Sequence, residues 1–72
     1  MKNKELISKI QNRVKGNTLN LKKPFIIDYG DGLVTMTVLG KEDGEMCVQS
    51  DTWVVPLTEL TNKELVQLRK CI

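Results

Sequence analysis

The sequence predicts an α+β domain: an N-terminal helix, an antiparallel β-meander of three or four strands and a C-terminal helix. They form two layers, with both helices on one face of the sheet. Three observations carry this reading. Residues 3–15 repeat apolar side chains at helical spacing. Thr35-Met36-Thr37-Val38-Leu39 alternates as a strand does, and the Gly-bearing segment Gly40–Gly44 sends the chain back into another strand. Thr61-Asn62-Lys63-Glu64 has the form of a capping box, the threonine hydroxyl taking an amide proton three residues on while the glutamate reaches back. With 72 residues the chain is expected to form one small domain over 1–72. Such a domain buries only about 60% of its unfolded surface, near the lower limit for folding alone.

In the first helix, 3–15, Leu6, Ile7, Ile10 and Val14 make one apolar stripe, and Lys, Gln, Asn and Ser fill the rest of the cylinder. Arg13 and Lys15 fall in its last turn, where cations complement the carbonyl end of the dipole, and Gly16 suits a left-handed stop. Residues 17–22 read either as a connector or as an extra edge strand, because Leu19 and Leu21 alternate with Thr18 and Asn20. Pro24 lacks a ladder donor and suits a strand start or an edge; Phe25-Ile26-Ile27-Asp28-Tyr29 then supplies strand residues over about 25–29. Gly30-Asp31-Gly32 offers positive-φ positions for a hairpin into a second strand, 33–39. Gly40–Gly44 turns into a third, 45–49, and Ser50-Asp51 turns into a short fourth, 52–55, ending at Pro56. Leu57 and Leu60 lead to the final helix, 62–71, with Leu65, Leu68 and Ile72 on one side.

Alternation assigns the faces of the sheet. Phe25, Ile27, Tyr29, Val34, Met36, Val38, Met46, Val48, Trp53 and Val55 form the apolar face expected to receive the helices. Asp28, Thr35, Thr37, Glu45, Gln49 and Thr52 form the other, with Ile26, Cys47 and Val54 as apolar exceptions. In a chain with three aromatic residues, Tyr29 and Trp53 are needed first for the core. Cys47 is expected to pack at or near the core as a reduced thiol, and the two cysteines are not expected to form a disulfide.

The residue inventory excludes much chemistry. With no histidine, Ser-His and Cys-His nucleophile pairs and imidazole metal sites are absent. Two cysteines 24 positions apart make neither a CxxC pair nor a four-ligand zinc site. Asp28, Asp31 and Asp43 lack the ligand spacing of a calcium loop, and the glycines lie in no phosphate-binding frame leading into a helix. A carboxylate pair such as Glu42 with Asp43 would need a desolvating cleft for acid/base work. No enzyme, cofactor or metal is therefore expected. The N-terminal segment is amphipathic, with no signal-peptide core, and no apolar run approaches the ~20 residues of a membrane span. A cytoplasmic location away from membranes is the corresponding expectation.

The net charge of +2 conceals a division. Residues 1–23 hold seven basic side chains against one acidic, and residues 24–72 hold four against eight, giving +6 and −4. On the first helix Lys2, Lys9 and Arg13 form a ridge beside the apolar stripe, a pattern able to meet phosphates. No aromatic residue interleaves them and the remainder of the domain would repel a polyanion, so a solvated face is the preferred reading of them. The expected function is a small non-enzymatic module that binds a protein partner or a second copy of itself, with sheet edges open to strand addition. The alternative is a nucleic-acid-binding regulator acting through Lys2, Lys9 and Arg13.

Overall fold

A computed structural model describes residues 2–14 and 18–72. Its elements are α1 (Asn3–Arg13), β1 (Thr18–Asp28), β2 (Leu33–Glu42), β3 (Glu45–Gln49), β4 (Val54–Pro56), a 3-10 turn (Leu57–Glu59) and α2 (Asn62–Arg69). The four strands form one antiparallel sheet in the order β1-β2-β3-β4, and the helices make the second layer on one of its faces. The expected α+β architecture is the observed one.

α1 buries Leu6 and Ile10, and Ile7 and Val14 pack against the core from its flanks. Helical geometry ends at Arg13, and Val14 is already extended with ψ 112°. The predicted continuation to residue 15 and the Gly16 stop lie outside the described residues. α2 starts as the sequence indicates. Thr61 Oγ1 accepts from the Glu64 amide at 3.2 Å, and Glu64 Oε1 accepts from the Thr61 amide at 2.9 Å. The helix closes at Arg69 rather than at residue 71, and Cys71 turns back onto the sheet.

β1 is not confined to 25–29; it begins at Thr18, so the alternation around Leu19 belongs to a strand. Thr18–Asn20 pair with Val38–Gly40, and Phe25–Asp28 pair with Leu33–Met36. Between them Leu21–Pro24 bulge opposite Thr37, which places Pro24 where no ladder donor is required. The bulge amides are not orphaned, since Lys22 N and Lys23 N donate to the Cys71 carbonyl at 2.7 and 3.2 Å.

β2 runs to Glu42 instead of stopping at Leu39, and Gly40 is a buried ladder residue between Thr18 and Cys47 rather than part of a turn. Asp43 and Gly44 alone reverse the chain, with φ of 51° and 82°. Positive φ at both central positions fits the right-handed twist of the flanking strands, so a two-residue connection suffices. β4 begins at Val54, because Thr52 and Trp53 remain in the preceding turn.

The core gathers Leu6 and Ile10, Phe25 and Ile27, Met36 and Leu39, Met46 and Val48, Leu57 and Leu60, and Leu65, Leu68 and Cys71. β2 faces the core at Met36 and then at Leu39, three positions on, so the alternation changes phase beside the bulge. Leu39, unassigned by simple alternation, is fully buried, and Val38 is only partly so. Cys47 is buried on the parity opposite Met46 and Val48, in register with Gly40 and Pro56. No helix among the described residues is long and apolar enough to cross a membrane.

Candidate functional site

Two residues assigned to the core are outside it. Tyr29 is 45% exposed and Trp53 is 51% exposed, and their rings stack on each other with centroids 5.7 Å apart and planes 22° from parallel. The reason lies in the turns. Tyr29 follows the last paired residue of β1 and opens the hairpin loop, where Gly30 takes a φ of 85° and its amide donates to Asp28 Oδ1 at 2.8 Å. Trp53 closes the turn that begins at Ser50. The Ser50 amide donates to the Trp53 carbonyl at 2.8 Å, and Ser50 Oγ accepts from the amides of Trp53 and Thr52 at 2.9 and 3.3 Å. A serine turn thus holds the tryptophan backbone while the ring stays in solvent.

The stacked pair joins the β1–β2 tip to the start of β4, although β1 and β4 are opposite edges of the sheet. The sheet therefore curls toward closure and leaves several openings beside Trp53, two of which bear on the strand edges. The first is a cleft of about 400 Å³ between residues 33–37 of β2 and the Ser50–Trp53 turn. β3 pairs with β2 only from Val38 to Glu42, so residues 33–37 have no partner on that side among the described residues. The Tyr29 amide donates to the Gly32 carbonyl at 3.1 Å, which makes Asp28 and Leu33 a non-hydrogen-bonded pair. By alternation Leu33 and Thr35 direct their N–H and C=O groups away from β1, toward the cleft. Leu33 itself is 69% exposed.

The second opening is the seam between β1 and β4, about 360 Å³, bordered by Ile27 and Tyr29 on one side and by Trp53, Val54 and Val55 on the other. Leu60 lies against it together with the carboxylates of Glu59 and Glu64. The Tyr29 hydroxyl senses this environment: partial burial raises its pKa, and the negative charges of Glu64 and then Glu59 raise it further.

The basic residues singled out in the sequence lie elsewhere. Lys9 and Arg13 line a shallow groove of about 290 Å³ with Arg69 of α2, whereas Lys2 sits at the opposite end of α1 and does not border it. The helices run side by side in the same direction. Asn62 Nδ2 donates to Asn3 Oδ1 at 3.0 Å near their starts, and Arg13 and Arg69 meet near their ends. Two carbonyl termini therefore converge on this groove, and the arginines in the last turns complement their partial negative charge.

The aromatic site carried one sequence signal, the placement of Trp53 three residues after a turn serine. Core packing is the commoner role of a tryptophan and masked it. Among the described residues, no group of His, Cys, Asp and Glu side chains is arranged to hold a metal ion. The site offers an open strand edge, two stacked aromatic faces and carboxylates, which suit recognition of another chain. Comparison of the protein with family models, with curated proteins and with solved structures finds no match.

Proposed function

We propose that this protein is a small non-enzymatic protein-binding module that receives an extended segment of a partner along residues 33–37 of β2. One observation supports the reading above the others: Trp53 is held by Ser50, stacked on Tyr29 and left half in solvent beside an unpartnered strand edge. Ordering an aromatic side chain before a partner arrives reduces the entropy lost on binding, and an open strand edge accepts an added strand through its backbone donors and acceptors.

Selection of a displayed random-peptide library against the immobilised protein tests this. The expected result is a set of peptides that bind the wild type and lose binding to Trp53→Ala. Peptides that bind both proteins equally would overturn the reading. Light scattering across a concentration series separates a foreign partner from a second copy: a mass doubling abolished by Trp53→Ala would make the occupant another copy of this chain. The competing nucleic-acid reading gains Arg69 beside Lys9 and Arg13, but the two helix ends already explain that cluster. Salt-sensitive oligonucleotide binding lost in the Lys9→Ala/Arg13→Ala variant would displace the present proposal.

A further inference from the structure

Strand addition along β2 leaves the β1–β4 seam unused, yet Trp53 is a wall of both openings. The seam has a particular chemistry. Every side chain bordering it is aliphatic, aromatic or acidic, and none is basic. Glu64 commits one oxygen to the Thr61 amide, which fixes its carboxylate at the first turn of α2 and leaves the second oxygen for another donor. An apolar guest would leave Glu59 and Glu64 without partners in a narrowed, drier space, and a phosphate-bearing guest would be repelled. A cation with a flat face and a long apolar stem satisfies all the walls together. Guanidinium fits better than ammonium because it stacks on aromatic rings, is weakly hydrated and offers several donors in a planar fork.

We propose that the seam is a pocket for an arginine side chain presented by the partner segment, its stem against Val54 and Leu60, its guanidinium beside the Tyr29–Trp53 pair and paired with Glu59 and Glu64. This rests on the β2 docking reading and adds the chemistry of the occupant. A segment lying along β2 passes Trp53 and can lower one side chain over it into the seam. The charge at the seam agrees, since Glu59 and Glu64 border it with no basic side chain beside them and attract a basic segment.

The test uses two acetylated, amidated pentapeptides, Val-Arg-Val-Thr-Val and its citrulline counterpart, which replaces the charged guanidinium with a neutral urea of nearly the same shape. Each is titrated into the isotopically labelled protein while the Trp53 indole and Tyr29 amide resonances are followed. The arginine peptide is expected to shift both and to bind about tenfold more tightly than the citrulline peptide, a difference of about 1.4 kcal/mol. In the Glu59→Gln/Glu64→Gln variant that preference is expected to vanish, while the circular dichroism stays unchanged because glutamine also completes a capping box.

Equal binding of the two peptides to the wild type would overturn the arginine pocket and leave β2 docking standing. A preference for arginine that survives the double glutamine variant would overturn the assignment to Glu59 and Glu64. Failure of both peptides to move Trp53 or Tyr29 at several millimolar would overturn the pocket, and the library selection would still decide the β2 reading separately.

Discussion

β2 is two strands in one. From Val38 to Glu42 it has β3 on one side, with Val38–Gly40 also held by β1 on the other, and it contributes the fully buried Leu39. From Leu33 to Met36 it has β1 alone among the described residues, and its first residue is among the most exposed apolar side chains of the domain. The changeover falls at the β1 bulge, where the core-facing phase shifts as well. One continuous segment thus has a sealed end and an end with an open edge, although Met36 anchors the open end in the core as Leu39 anchors the sealed one.

The largest expected effect is in the sealed half. Leu39→Ala should lower stability by about 2–5 kcal/mol in urea unfolding, the range for truncating a buried leucine; a wild-type midpoint would contradict the packing described. Thr61→Ala should cost about 0.5–2 kcal/mol and also release the carboxylate of Glu64, so thermal melts and arginine-peptide binding should weaken together. In the open half, Leu33→Ala should change stability by no more than about 0.5 kcal/mol. Hydrogen exchange sharpens the contrast within one short run: the Thr35 amide should exchange rapidly and the Met36 amide, directed toward β1, slowly. Equal protection of the two would mean that something covers the edge.

The smallest effect is a loss of stability at alkaline pH, with a contribution from each half. Burial raises the pKa of the Cys47 thiol, and the nearby Glu45 and Glu42 carboxylates add to the shift. The Tyr29 hydroxyl is shifted in the same direction. The folded protein therefore favours the neutral form of both groups. Their contributions are complete below the ordinary values of 9.0 and 10.0, and are lost as pH rises through these toward the higher folded values. Cys47→Ala should remove the earlier part of the decline in a pH series of melting temperatures, and an unchanged curve would refute that assignment.

The open half was the less legible in sequence. Helical spacing in α1, the Thr61–Glu64 box and the glycine-bearing turns indicated the order of elements, because each is a local signal. The alternation of Thr18, Leu19, Asn20 and Leu21 left a strand and a connector open, and what decides for the strand is pairing with Val38–Gly40, a contact that no local pattern contains. The same holds for Tyr29 and Trp53. Their composition favours a core, and only the curl of the sheet brings two turn residues from opposite edges into contact. The basic ridge was legible as charge, but the parallel course of the helices, which brings Arg69 beside Arg13 and leaves Lys2 apart, was not.

The carbonyl of Cys71 fastens the amides of Lys22 and Lys23 across a separation of 49 and 48 positions. Closing so long a span costs chain entropy that a local contact does not, so this step is expected to come late in acquiring the native state. Until it happens, the middle of β1 has neither a ladder partner nor an acceptor for those two amides. The rate of refolding should then be governed less by either helix, both of which form locally, than by the search that brings the two distant parts of the chain together.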